Sequence, residues 1–204
     1  MTTPRAAIGQ VVHQFGLQVG ASPSSTVSVL RWDDETVEAY VLADSPIVIL
    51  LRDGTHMVLT DDRIYRVAAG IRADRDQILK QGKGFGAELG SVQKEARGVL
   101  GSARNTAGGF WVAEADADAA VQGYRARWSR EDVAEAIVCS DGFSAAVDIY
   151  GVYPSWAALF EDARRCGLGH VAEQISAAEA ADPRGQRWHR NKYDDDVTAV
   201  YVQF

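Results

Sequence analysis

No apolar stretch in this 204-residue chain is long enough to cross a bilayer, and no charged segment followed by an apolar one opens it. A spanning helix needs about 20 apolar residues, so neither membrane insertion nor export is expected. Cysteine is scarce, with only Cys139 and Cys166. Both fall in apolar-periodic segments and read as small buried residues of a reduced, cytoplasmic protein, with a disulfide between them left open. Basic residues never gather into a patch, and 21 Lys and Arg against 28 Asp and Glu leave a net charge of -7. Counterion release from a phosphate backbone or an anionic membrane needs a basic patch, so both drop out as partners. The four histidines, His13, His56, His170 and His189, show no paired metal spacing and no nucleophile partner. His189, between Trp188 and Arg190, is the one placed to approach the acidic stretch that follows it.

What the chain does have is a core. Hydrophobic residues make up 47% of it, enough for one domain of this length. Ile8, Val11, Val12 and Phe15 recur at helical spacing over Pro4 to Val19. Alternation around Val27 and Val29, then around Val37, Ala39 and Val41, marks two half-buried strands. The run Ile47 to Leu51 and the turn pair Asp53-Gly54 lead into Met57 to Leu59, and the four strands read as an antiparallel meander. Ile71 to Lys80 and Ser91 to Arg104 are charged helices, with a glycine-rich loop from Gly82 to Gly86 between them. That loop lacks the Lys-Ser/Thr ending of a phosphate loop, so it reads as a flexible loop, with a flap over a substrate groove as the secondary reading. Phe110 to Val112 reads as a short strand, Asp116 to Gln122 as a short helix and Ala136 to Cys139 as a central strand. Ser155 caps a helix through Trp156, Leu159 and Phe160, a second runs from Gly169 to Ala181, and a polar loop from Pro183 to Tyr193 precedes the last strand at Val197. Trp111, Trp128 and Trp156 are expected to anchor the core or an interface.

The chemistry concentrates in two acidic stretches. Ser140-Asp141-Gly142 follows an apolar strand, and Asp194-Asp195-Asp196 precedes one. Carboxylates held at strand tips lose little freedom on binding a hard divalent cation, so the pair points to a metal site. As isolated motifs both have plainer readings, a turn for Asp141-Gly142 and a solvated loop for Asp194 to Asp196.

Five segments in order, Ser24-Ser25-Thr26-Val27, Val41-Leu42-Ala43-Asp44-Ser45, Leu59-Thr60-Asp61-Asp62, Cys139-Ser140-Asp141-Gly142 and Asp195-Asp196-Val197-Thr198, resemble the metal-dependent protein phosphatases of the protein phosphatase 2C family. The resemblance covers roughly residues 20 to 204. It implies an α+β fold, a helix-flanked antiparallel β-sandwich (αββα), as a single domain over residues 1–204 with a helical insert or flap at about 66–105. It also implies a binuclear Mg²⁺ or Mn²⁺ centre with Asp141 and Asp195 as ligands and a phosphoprotein as substrate. Gly142 would let the backbone pass close to the metal, and Asp44, Asp196 and Thr198 would support the site architecture. The family's first two strands carry an Asp-Gly pair that bridges both metals, yet nothing before Asp33 is acidic, so the resemblance implies an N-terminally incomplete sandwich. Arg187 and Arg190 are candidates to meet phosphate or to neutralise Asp194 to Asp196. The competing expectation is a catalytically impaired phosphatase-like binding module, as a homodimer that covers an open sheet edge. An amidohydrolase using Thr2 as nucleophile is disfavoured, because the first lysine is Lys80.

Overall fold

The computed structural model describes residues 3–204, so Thr2 lies outside the described residues. Helix α1 (Pro4–Phe15) starts at Thr3, whose hydroxyl accepts the Ala6 N–H, and stops where Gly16 turns left-handed at φ 60°. Strands β1 (Val27–Trp32) and β2 (Thr36–Leu42) form an antiparallel hairpin. Asp33 closes it, its Oδ1 accepting the N–H groups of Glu35 and Thr36 and the Thr36 hydroxyl, which holds the Asp33 carboxyl below its usual range. The next hairpin, β3 (Ile47–Leu51) with β4 (His56–Leu59), lies in a different sheet. The expected meander is therefore two separate hairpins. The chain crosses between sheets at Ala43, a non-glycine residue at φ 70°.

Strand β5 (Tyr124–Ser129) pairs with β2 to complete a three-stranded sheet in the order β1-β2-β5. Strands β6 (Val133–Cys139) and β7 (Ala199–Gln203) complete a four-stranded sheet in the order β4-β3-β6-β7, and every pairing is antiparallel. Val37, Ala39 and Val41 meet Ile47, Ile49, Val133 and Ala136 between the two sheets. The alternate residues Val48, Leu50, Ile137 and Cys139 point the other way, into a helical layer. Strand β3 thus buries both faces, which is why it reads as an unbroken apolar run. The fold is α+β, two antiparallel sheets flanked by helices.

Five helices follow in chain order: α2 (Arg63–Val67), α3 (Ala69–Lys80), α4 (Ala87–Ala103), α5 (Asp141–Asp148) and α6 (Trp156–Cys166). The last, α7 (Leu168–Ala181), joins α6 through Gly167. Ser155 caps α6 as expected, its hydroxyl accepting the Ala158 N–H at 3.3 Å. Phe143, Trp156, Leu159, Phe160, Val171 and Ile175 pack these helices onto the second sheet, and burying each contributes about 1.5–3 kcal/mol. On the outer side α1 buries none of its residues and leaves a cavity of ≈ 760 Å³ against Val29, Tyr40 and Arg125.

Several expectations are corrected. Phe110 to Val112 is no strand, because the segment makes only the isolated bridges Arg104–Phe110 and Ser25–Ala113 at its ends. The short helix expected over Asp116 to Gln122 is present as a 3-10 helix, Ala117–Gln122. Both cysteines are free thiols, and Cys166 is exposed where a buried residue was expected. Trp156 is core at 4% exposure, whereas Trp111 and Trp128 are half-buried. No helix among the described residues is long and apolar enough to cross a membrane.

Candidate functional site

The two acidic stretches meet at one end of the second sheet. Adjacent antiparallel strands β6 and β7 bring their neighbouring ends together, with Cys139 opposite Ala199. The chain leaves β6 into α5 through Ser140 and enters β7 through Thr198. Ser140 ties the two ends. Its N–H donates to the Thr198 carbonyl (3.0 Å), its hydroxyl donates to the Asp196 carbonyl (3.1 Å), and the same oxygen accepts from the Thr198 N–H (3.2 Å). Thr198 therefore acts through its backbone.

Gly142 completes the approach. A Cβ there would lie 2.5 Å from the Asp196 carbonyl oxygen and 3.3 Å from the Asp195 Cβ, a space that no side chain can enter without displacing the acidic segment. Asp141 occupies the first position of α5, where a carboxylate is favoured by the unpaired N–H groups, and its Oδ1 accepts the Gly142 N–H at 3.0 Å. Asp195 Oδ1 accepts the Asp196 N–H at 2.7 Å.

Asp44 joins them from the crossover between sheets. Burial first, then the Asp141 charge and more weakly that of Asp61, push the Asp44 carboxyl above its usual range. Tyr65, on α2, stands close to Asp44, and its phenol is raised first by burial, then by Asp44 and by Asp141. Asp61 is 1% exposed and is neutralised by Arg63, whose guanidinium reaches both carboxylate oxygens. The end of the sandwich is thus a field of like charge around Asp44 and Asp141. Among the described residues, however, three donor atoms lie within 4.8 Å of one another only at Asp162, Cys166 and His170, and not here.

The cation facing this cluster is Lys192. Its ammonium bonds Asp195 Oδ1 at 2.5 Å, and its pKa is raised by that bond and by the charges of Asp195, Asp141 and Asp196. The arginines expected in this role are used elsewhere. Arg187 lies over the Trp188 ring, and Arg190, 6% exposed, binds Asp182. His189 turns to Asp76 on α3, at 3.6 Å, and away from the acidic stretch.

The insert expected to be a mobile flap is clasped onto the loop that carries Lys192. Arg75 of α3 donates to Asn191 Oδ1 at 3.0 Å and Gln93 of α4 donates to the Asn191 carbonyl. Phe85, in the glycine-rich loop, meets Tyr193 edge-to-face, and Arg190 lies over the Phe85 ring. The sequence carries no signal for Tyr65, which tertiary packing brings to Asp44, whereas Lys192 stands three residues before Asp195 and the pair is local. Cys139 is buried, and burial, then Asp148 and Asp141, push its thiol up to about 12, which removes it as a nucleophile. No protein-family model matches this chain, and no curated protein matches it either.

Proposed function

We propose that this chain is a phosphatase 2C-like domain that hydrolyses phosphomonoesters of serine and threonine with the help of Mg²⁺ or Mn²⁺. One observation carries this reading: the Gly142 backbone, flanked by Asp141, fits against Asp195 and Asp196 in a space that any Cβ would fill. The donor set suits hard cations, since Asp141 and Asp195 offer carboxylate oxygens, while the nearby Cys139 thiol is buried and held protonated. Asp44 adds charge that is repelled by Asp141, a repulsion that a bound cation would relieve. Asp141 and Asp195 would hold the metal. When bound, it supplies the positive charge that polarises a phosphoryl oxygen and acidifies water. Ser140 and Thr198 keep the two acidic segments in register. The substrate expected is a phosphoprotein in the cytoplasm.

The test is hydrolysis of a small aryl phosphate with Mn²⁺. Turnover should require the metal and should fall at least 100-fold in Asp141→Ala and Asp195→Ala, as loss of a few kcal/mol of transition-state stabilisation gives. Turnover that is absent, or independent of Mn²⁺, in well-folded protein removes the catalytic claim.

The Lys192–Asp195 ion pair favours a second reading, in which the ammonium takes the place of a cation and the domain binds a partner without catalysis. The two readings separate on Lys192→Ala. If a metal competes with Lys192 for Asp195, the variant binds Mn²⁺ roughly two- to fivefold tighter, the worth of an exposed ion pair. Isothermal titration of both proteins reads this directly, and Mn²⁺ binding to neither supports the binding module.

A further inference from the structure

We propose that Asp162, Cys166 and His170 form a site for a borderline transition metal, Zn²⁺ being the best fit, on the outer end of the α6–α7 pair. The spacing is where this starts. Asp162 and Cys166 stand four apart on α6 and so share one face. Gly167, at φ 83°, ends α6 and turns the chain directly into α7, which returns His170 from its first turn to the same face. One donor atom from each residue then lies within 4.8 Å of the other two.

The donors select the metal. A thiolate, an imidazole and one carboxylate suit Zn²⁺ and disfavour Mg²⁺ or Ca²⁺, which prefer all-oxygen shells. With bonds of about 2.0–2.3 Å, tetrahedral ligation sets neighbouring ligand atoms roughly 3.3–3.8 Å apart. His170 Nε2 is already 3.5 Å from Asp162 Oδ2. Cys166 is exposed and His170 is 39% exposed at the side chain, so both can rotate inward by the remaining distance.

Groups outside the ligand set are arranged as such a site needs. Tyr153 donates its hydroxyl to Asp162 Oδ2 at 2.7 Å and Arg165 bonds Oδ1 at 2.8 Å, which fixes the carboxylate. Glu173 Oε2 stands 3.9 Å from His170 Nδ1, on the ring nitrogen turned away from Asp162. A carboxylate there favours the tautomer that leaves Nε2 free for a metal. Arg165 adds a positive charge beside the site, but its side chain is 76% exposed, so solvent screens that charge. Asp162 and His170 line a concavity of ≈ 410 Å³ with Glu161, Arg165 and Gln174, and Cys166 is exposed beside them, so the fourth position faces solvent. That is the arrangement of a site that keeps one coordination position for water or a ligand.

Co²⁺ is the probe, titrated into the reduced full chain. One equivalent should give a thiolate-to-cobalt band in the near ultraviolet and tetrahedral bands in the visible, displaced by Zn²⁺ and unaffected by excess Mg²⁺. Cys166→Ser should abolish the thiolate band, His170→Ala should weaken Co²⁺ binding at least tenfold, and Glu173→Gln should weaken it by about tenfold. Cys139→Ala, Asp141→Ala and Asp195→Ala should leave the band intact, which separates this site from the carboxylate cluster. Zn²⁺ should also protect Cys166 from iodoacetamide in the wild-type chain, a measurement that needs no variant to fold. No thiolate band in the wild type, a band that survives Cys166→Ser, or unprotected alkylation of Cys166 overturns the proposal.

Discussion

Asp182→Ala is expected to cost about 3–5 kcal/mol, the loss typical of removing one partner from a buried ion pair. Asp182 is 7% exposed and accepts the N–H groups of Gln186, Arg187 and Trp188 at 2.9, 3.0 and 2.9 Å. Its Oδ2 also takes Arg190 Nη1 at 3.3 Å. Alanine leaves these three N–H groups and a buried guanidinium without their shared acceptor. Arg190 keeps the carbonyls of Glu179, Asp182, Trp188 and Tyr193, so the loss should fall toward the lower end. The 183–193 loop should then open, releasing Lys192 from Asp195 and Trp188 from its edge-to-face contact with Tyr150. Urea denaturation would give the stability change, and hydrogen exchange at Gln186 to Trp188 would locate it. The pH dependence has a definite sign. Burial opposes ionisation of Asp182, but the three N–H groups and Arg190 outweigh it and hold the carboxyl below the ordinary value of 3.8. Its stabilisation is therefore complete above that value and lost as pH falls through the lower, folded pKa. The gap between wild type and variant should narrow below about pH 4. A gap under 1 kcal/mol at neutral pH, or one that stays constant into acid, would contradict this account.

The parts of the fold legible in the sequence are those with a local cause. The unbroken run of β3 reflects burial on both faces, and Ser155 caps α6 through a bond to the backbone three residues on. Asp141-Gly142 and Asp194 to Asp196 were readable as strand-tip segments, and their meeting follows from β6 pairing with β7. What failed had a non-local cause. The meander breaks at Ala43, where a left-handed turn sends the chain to the other sheet, and alanine gives no warning of such a turn. Strand β5 is the exception: Tyr124, Ala126 and Trp128 alternate with Arg125, Arg127 and Ser129, a local strand signal that the reading of the sequence leaves unused. From its neighbours alone Arg190 is a candidate to meet phosphate or to neutralise Asp194 to Asp196, yet Asp182, eight residues away, captures it. Cys166 and His170 looked unrelated because Gly167, between them, reverses the chain.

Gly142→Ala tests the candidate carboxylate site through one methyl group. The new Cβ would sit 2.5 Å from the Asp196 carbonyl oxygen and 3.2 Å from its carbon, and both are backbone atoms with no rotamer to yield. Either α5 or the 195–196 segment must move by a good fraction of an ångström. Ser140 resists separation, because it bonds both Asp196 and Thr198. Overpacking of this kind costs about 1–3 kcal/mol. The helix itself would favour alanine over glycine by about 1 kcal/mol, so the net loss should be roughly 0–2 kcal/mol and the protein should still fold. The effect on function should be much larger than the effect on stability. Displacing Asp195 relative to Asp141 by about 1 Å would lower metal-dependent turnover on the order of 100-fold. Weakened Mn²⁺ binding should accompany it, with the Co²⁺–thiolate band at Cys166 unchanged. An alanine variant that keeps full Mn²⁺-dependent turnover would mean that the closeness of these two segments serves packing alone, and the acidic cluster would lose its claim to be the active centre.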